Sequence, residues 1–490
     1  MRTMNDIFLD SVDRFGERPA IIDGERTLTY AEFGGSVKSL ASFLAEHGVG
    51  MGDKVAILLP NSIEFAVAFY ASASLGAVSV PINSLCKEDE IRFYVTDSGA
   101  LVLLTDAALR ETAGRAVSEP GAGVSVIRGE GADWVSGAAE AGRRAPAEVE
   151  PDADAIYLYS TGSTGKPKRV ARTHRNLAAL AQNHSDTAGF GDKDRVLFVV
   201  PLSHTYAFGN FISSVRGGAA SIMLEQFNRN GALDVLESEA VTIFPAVPVM
   251  LDALAGTFTP EEKDLSSLRL VISAGAPLRH ETFKKFHERF AIYPRQLYGS
   301  TETGVISINL AEDIEKRAAS VGKPVNRVTV KVFGDGGEEL ETGDEGELAV
   351  RSPSMTRGYD GLPGETEKVF RNGYYFTGDL GRIDAEGYIY ITGRRKFFIN
   401  AGGYKVDPAE VENVLLGMPG ITEAAVLGVE DKSGKEHVKA VLVSDRPVTA
   451  GEVAAHCRGR LADYKIPLNI EFRDALPRSP AGKVLKEQLK

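Results

Sequence analysis

The chain has 490 residues, 43% hydrophobic and 25% charged, with a formal net charge of −12. That length exceeds what one hydrophobic core fills, so at least two domains are expected, and the composition is that of a globular enzyme. The acidity argues against a general nucleic-acid binder and leaves only a local basic patch for any polyanion, while two distant cysteines, Cys86 and Cys457, argue against a disulfide framework or zinc cluster and fit a reducing cytoplasm.

The N-terminal MRTMNDIFLDSVDRFGERPA is amphipathic and acidic and lacks the apolar core of a signal peptide. The best membrane candidate, residues 66–82, is broken by Ser72, Ser74, Ser79 and Pro81, so no stable membrane insertion is expected. KVAILL (54–59) reads as a strand, and Asn61 with Glu64 three residues on resembles a capping box opening a helix through Leu75. AVSVPI (77–82), ALVLLT (100–105), AIYLY (155–159), VLFVV (196–200), SIML (221–224), VTIF (241–244) and LRLVIS (268–273) continue the alternation, which predicts α/β layers with largely parallel sheets. Residues 106–150, rich in Ala, Gly, Glu and Arg, read as a peripheral segment. Beyond about 320, VTVKVFGDGGEEL and GELAVRS predict a small antiparallel subdomain with an Asp-Gly-Gly turn. Asp407-Pro408-Ala409-Glu410 is a strong helix start, followed by strands at 421–429 and 436–443, a helix at 449–461 and a strand at 468–473. The expected architecture is a large α/β N-terminal domain, 1–395, of layered sheets with helices and a small antiparallel subdomain, and a small α+β C-terminal domain, 396–490.

Chemistry concentrates in YSTGSTGKPKRV (159–170), after the strand AIYLY. Gly162 and Gly165 are only three apart and Lys166 precedes Pro167, so neither the Walker A pattern nor the dinucleotide fingerprint is met. The composition nevertheless suits polyphosphate, since glycines let backbone N–H groups converge on an anion and hydroxyls add donors. Lys166, Lys168, Arg169, Arg172 and Arg175 place five cations within ten residues.

Together with YGSTETG (298–304), YFTGDLG (375–381), GRRKFFINAGGYKVDP (393–408) and PRSPAGK (477–483), this stretch resembles the ordered motifs of the acyl-adenylate-forming superfamily of acyl-CoA ligases, peptide-synthetase adenylation domains and luciferases. The resemblance covers nearly the whole chain and implies ATP, Mg²⁺ and coenzyme A. A carboxylic acid attacks the α-phosphate to give acyl-AMP and pyrophosphate, and a thiol then displaces AMP.

The resemblance assigns the β- and γ-phosphates to Ser160, Thr161, Gly162, Ser163, Thr164, Gly165 and Lys168. Arg169 stands where glycine is usual, either stiffening the loop or adding a phosphate contact. Around the α-phosphate, Tyr298, Gly299 and Ser300 lead to Thr301 as donor and Glu302 as Mg²⁺ ligand, a hard-ion site suited to a carboxylate. Gly275, Ala276 and Pro277 match the adenine wall, Asp379 the ribose acceptor, Arg394 its neighbour at ribose or phosphate, and Ile391 the flank of the base. Lys483 matches the catalytic lysine that bridges carboxylate and α-phosphate.

Two unlike reactions share one acyl group, and the family turns its small domain on a hinge, matched here by Lys396. In the second pose Gly402, Gly403 and Tyr404 take the place of Lys483 and admit the pantetheine arm. His204 matches a histidine at the border of acyl and thiol sites, gating the pocket or orienting the adenylate carbonyl.

Tyr206, Phe208, Asn210, Phe211, Val247, Gly275 and Gly299 are expected to line the acyl pocket. The stretch YAFGNF lacks the aspartate that amino-acid-activating relatives carry, so a non-amino, apolar or aromatic acid is favoured. The chain ends soon after Lys483, implying no fused carrier domain, and a monomer or homodimer is expected. Two other readings are an enzyme that loads a carrier-protein phosphopantetheine and a non-catalytic adenylate-binding scaffold. Retention of Lys483, Glu302 and Asp379 together speaks against the scaffold.

Overall fold

Short β-branched runs alternating with helix-forming segments build two layered sheets. The computed structural model describes residues 2–118, 125–128, 147–161, 167–256, 263–394, 399–401, 404–406, 408–431, 436–458, 460–461, 463–479 and 484–490. In the first sheet Lys54–Leu58 lies parallel to both Val78–Ile82 and Val102–Thr105, and Asp154–Thr161 extends it beside Val78–Ile82. Pro167–Thr173 folds back antiparallel onto Asp154–Thr161, pairing Tyr159 with Arg169 and Ser160 with Lys168.

The second sheet has nine strands, in the order Lys323–Pro324, Gly304–Ile308, Arg295–Ser300, Leu270–Ser273, Ile243–Ala246, Arg195–Phe198, Ala220–Met223, Pro19–Asp23 and Arg26–Thr29. Its central strands are parallel and its margins antiparallel. One continuous core joins Val55 and Ile57 of the first sheet to Ile21, Val196 and Phe198 of the second through helices Ile63–Ser74, His174–Ala188 and Thr205–Gly217. Ile63–Ser74 is buried at every position except Glu64, as expected of a helix enclosed by neighbours on all sides.

Thr329–Phe333, Gly346–Arg351, Tyr374–Ile383 and Phe370–Arg371 form a further sheet, with Ile389–Arg394 added to Tyr374–Ile383. Ile421–Glu430 and Glu436–Ser444 pair antiparallel, Asn469–Phe472 joins in parallel, and helices Pro408–Leu416 and Ala450–Arg458 pack with them through Val411, Leu415, Val426, Leu442, Val453 and Cys457. By its contacts the chain divides into two compact units, 1–331 with 349–377 and 383–390, and 332–348 with 378–382 and 391–490. No helix among the described residues is long and apolar enough to cross a membrane.

Three expectations change. The first helix after Lys54–Leu58 is capped by Ser62, whose hydroxyl accepts from the Phe65 N–H at 3.2 Å. Asn61 instead receives the Leu202 N–H at 2.8 Å and donates to the Phe198 and Val200 carbonyls, tying two sheets together, and Glu64 pairs with Arg26. A buried amide with three backbone partners outweighs a single cap bond. Within 106–150, read as a loosely constrained segment, the described residues carry regular structure: Arg110–Ala116 is helical and Ser125–Arg128 adds a parallel edge strand to Val102–Thr105. Finally, the strand read at 241–244 runs Ile243–Ala246, because the Val241 N–H is held by the Leu236 carbonyl at the preceding helix end. Asp407 lies outside the described residues.

Candidate active site

The strand after the glycine-rich stretch buries alternate side chains, so Lys168, Val170 and Arg172 share an inward face. Lys168 Nζ donates to Glu365 at 2.6 Å and stands 4.9 Å from the centre of the Tyr359 ring. The same ammonium holds the Glu365 carboxyl down at about 2. Ser160 pairs with Lys168 at the hairpin mouth, while Gly162, Ser163, Thr164 and Gly165 lie outside the described residues and Thr161 is described by its backbone alone.

Arg169, on the opposite face, is engaged elsewhere through both Nη atoms, while its buried Nε has no hydrogen-bond partner among the described residues. Its guanidinium pairs with Asp360 at 2.7 Å and Asp97 at 3.2 Å, bonds the Asp97 carbonyl and covers the Tyr157 ring at 5.2 Å. Its backbone carbonyl accepts the Asp360 N–H at 3.0 Å, fastening 356–360 along this strand beside the Val170–Tyr359 bridge. Of the two readings of this residue, the geometry supports stiffening.

YGSTETG is a β-hairpin. Arg295–Ser300 and Gly304–Ile308 pair antiparallel, and Thr301, Glu302 and Thr303 occupy the tip. A Cβ on Gly299 would sit 2.5 Å from the Gly304 carbonyl oxygen, and Gly304 itself has φ +75°, so both glycines are required for so tight a reversal. Ser300 and Thr303 close the tip through hydroxyls 3.0 Å apart. Thr301 remains partly exposed, whereas Glu302 is buried. One Glu302 oxygen accepts the Tyr359 hydroxyl at 2.8 Å, and its second oxygen has no hydrogen-bond partner among the described residues. Behind it stands Arg172, fully buried, with Nη2 on the Ser354 carbonyl at 2.6 Å and Nε and Nη1 unpartnered among the described residues. Burial draws the Arg172 pKa down to about 10, and the Glu302 charge opposes that fall.

The acyl end is built on the helix Thr205–Gly217. The Tyr206 hydroxyl donates to the Ile272 carbonyl at 3.0 Å, near the end of Leu270–Ser273. Val247 and Gly275 follow the ends of Ile243–Ala246 and Leu270–Ser273, and a Cβ on Gly275 would lie 3.7 Å from Val247. Gly275, Ala276 and Pro277 are exposed, as a wall for a flat base requires, and Tyr298 is buried. Three expected lining residues instead face the core. Phe208 meets Phe69, Phe211 meets Tyr70 and Phe198, and Asn210 accepts from His184 Nε2 at 3.0 Å while donating to the Tyr206 carbonyl. All three are at most 1% exposed. His204 occupies the N-cap position without a side-chain cap bond, its imidazole Nε2 lies 3.3 Å from the Asn83 amide, and burial holds its pKa below the ordinary histidine value.

In the second unit Asp379 is buried and its carboxylate pairs with Arg394 Nε, while Ile391 is 37% exposed. Ala401 pairs with Tyr404 in a short ladder, and Gly402, Gly403, Lys396 and Lys483 lie outside the described residues. On either side of 480–483 the chain is pinned, Arg478 bridging Val484 and the Leu485 N–H reaching the Pro477 carbonyl at 2.8 Å.

Among the described residues no group of three or more His, Cys, Asp or Glu could cage a metal. One buried carboxylate with an uncommitted oxygen suits Mg²⁺, which keeps most of its shell as water and nucleotide oxygens. Tyr359, Glu365 and Asn83 are missing from the sequence reading. Tyr359 lies 57 residues from Glu302 and Glu365 lies 197 from Lys168, so no local spacing announces them.

A family model for AMP-binding enzymes matches residues 8–360, and one for the AMP-binding enzyme C-terminal domain matches 410–483. The long-chain-fatty-acid–CoA ligase FadD13 of Mycobacterium tuberculosis is 35% identical over 474 residues, 94% of this chain and 92% of that protein. The 2-succinylbenzoate–CoA ligase of Bacillus subtilis is 33% identical over 476 residues, 97% of this chain and 95% of the relative. A structure of O-succinylbenzoate coenzyme A synthetase (MenE) from B. subtilis in complex with ATP and magnesium ion matches with a TM-score of 0.85 at 32% identity, covering 99% of this chain and 98% of that one.

Proposed function

We propose, from the premise that the chain belongs to the acyl-adenylate-forming AMP-binding enzymes and is an AMP-forming acid–CoA ligase, that its acid substrate is an apolar or aromatic carboxylate without an α-ammonium group. The observation that carries this reading is the helix Thr205–Gly217, which has no acidic residue in its first turn to pair with an ammonium. Its Tyr206, with Val247 and Gly275 beyond the neighbouring strand ends, offers ring, aliphatic and backbone surface instead.

The acid's carboxylate attacks the α-phosphate of ATP, giving acyl-AMP and pyrophosphate, and the CoA thiol then displaces AMP. Such chemistry is mostly positioning and charge stabilisation. Ser160, Lys168 and the glycine-rich stretch between them hold the β- and γ-phosphates, with Lys168 exchanging its Glu365 partner for phosphate oxygen. Mg²⁺ would neutralise charge on the phosphate oxygens, with Glu302 as its protein ligand, while the Tyr359 hydroxyl fixes that carboxylate's rotamer and Thr301 donates to the α-phosphate. Asp379, oriented by Arg394, accepts from the ribose hydroxyls. Lys483 bridges carboxylate and α-phosphate in the first reaction, and Gly402, Gly403 and Tyr404 admit pantetheine in the second. We take 1–395 as the adenylate-forming domain and 396–490 as the domain that turns about Lys396, a position lying between the two matched family models. A reducing cytoplasm suits Cys86 and Cys457, both buried and unpaired.

Acid-dependent exchange of pyrophosphate into ATP, measured over fatty, aryl, terpenoid and amino acids, tests the substrate class. Exchange is expected with apolar or aromatic acids, and exchange confined to amino acids would overturn the reading. Adding CoA, or a carrier protein bearing phosphopantetheine, to the active acids identifies the acceptor, with free CoA expected to yield product efficiently.

A further inference from the structure

The loop after the strand Val78–Ile82 carries an amide whose orientation is fixed by its own chain. Asn83 Oδ1 accepts the Leu85 N–H at 2.9 Å, closing an Asx turn, and the Asn83 carbonyl accepts the Cys86 N–H at 3.0 Å. With the oxygen so committed, the Asn83 NH₂ group is what faces His204 Nε2, 3.3 Å away. An NH₂ has no lone pair to offer, so Nε2 is the acceptor and the ring proton of the neutral imidazole sits on Nδ1. Asn83 is only 7% exposed, and burial disfavours the imidazolium that would make both nitrogens donors. The His204 side chain is only partly buried, and its one hydrogen bond to a described residue is this one, at Nε2. His204 stands two residues before Tyr206, on the helix turn that carries the acyl end.

We propose that Asn83 is a positioning residue that holds His204 as its Nδ1–H tautomer, so that the histidine offers a hydrogen bond to the acyl carbonyl oxygen instead of a base to the thiol. This deepens the ligase reading and rests on it. A donor aimed at that oxygen is worth most as negative charge develops there during thiol attack, where losing one such donor costs about 10²- to 10³-fold in rate. An accepting nitrogen at the same place would repel the oxygen.

The test begins with the unmodified protein. Two-bond ¹H–¹⁵N spectra of its eight histidines, with His204 assigned by a His204→Gln variant, are expected to show Nδ1 protonated and Nε2 bare. Protonated Nε2 in the free enzyme would overturn the proposal with no bearing on the ligase reading, which stands or falls on pyrophosphate exchange. Asn83→Asp keeps the acceptor for Leu85 N–H but replaces the NH₂ by a carboxylate oxygen. At about pH 9, above the histidine range, it should move the proton to Nε2. Single-turnover transfer from preformed acyl-adenylate to CoA should then slow by about 10²- to 10³-fold, matching or exceeding His204→Ala, with KM for ATP unchanged. A reversed tautomer with unchanged transfer would also overturn the proposal. Should Asn83→Asp fail to fold, the spectrum of the unmodified protein still decides it.

Discussion

Replacing Arg169 by glycine, the residue usual at that place in the resembled motif, separates a structural clamp from a phosphate contact. The side chain is 20% exposed and makes two ion pairs, at 2.7 and 3.2 Å, a bond to a main-chain carbonyl and a ring contact at 5.2 Å. Partly solvated ion pairs contribute only about 0.2–1 kcal/mol each, cation–π contact about 0.5–1, and glycine inside a strand costs about 0.5–1. Together these predict a loss of roughly 2–3 kcal/mol, or about 3–4 °C in melting temperature for a unit of this size. Because Asp97 also accepts from the Tyr159 hydroxyl at 2.7 Å, part of the network survives and the lower figure is favoured. The assay pairs thermal unfolding with KM for ATP in pyrophosphate exchange. Arg169→Gly should melt earlier with KM for ATP within about twofold, and Arg169→Lys, which keeps charge but not the planar fork, should fall between. An unchanged melt with KM for ATP raised tenfold would show that Arg169 serves phosphate and would refute the clamp.

Glu302→Gln should lower the adenylation rate by about 10²-fold and raise the Mg²⁺ requirement, and it should also lower the melt, since an amide oxygen still accepts from the Tyr359 hydroxyl but the charge that supports the buried Arg172 is lost. Phe208→Ala should cost about 3–5 kcal/mol in denaturant unfolding, because a ring packed 4.7 Å from Phe69 leaves a cavity, yet leave the ranking of acids unchanged. A changed ranking would restore Phe208 to the pocket wall. Burial lowers the pKa of His174 and of His184 to about 4, so both fold neutral. Between about 6.5 and 4 the unfolded chain binds the proton and the folded one does not. Stability therefore falls as pH falls through that window, by up to about 1.4 kcal/mol per pH unit for each histidine. Urea unfolding at pH 7 and 5 should show this slope, with His184→Gln removing one histidine's share.

The large elements were legible because they repeat a simple pattern. Lys54–Leu58 and Val78–Ile82 are short aliphatic runs separated by a helix buried almost all round, and that rhythm predicts parallel pairing without further knowledge. Which residues face the acyl pocket was not legible. In YAFGNF every residue is apolar or small enough for either side, and only packing against Phe69, Tyr70 and His184 decides that Phe208, Phe211 and Asn210 turn inward. Tyr359 reaches the site because 356–360 lies along the strand Pro167–Thr173, and Glu365 because the chain beyond it returns to Lys168, pairings that no local spacing encodes. The cap at Ser62 was missed because Asn61 looked like a better cap than it is, its amide being claimed by Leu202 across 141 residues.

The most direct measurement is step-resolved kinetics of Lys483→Ala beside the unmodified enzyme, with an acid that supports pyrophosphate exchange. Adenylate formation should fall by several orders of magnitude, while transfer of the acyl group from supplied adenylate to CoA should remain within about tenfold. Adenylate formed at an undiminished rate by Lys483→Ala would contradict the account.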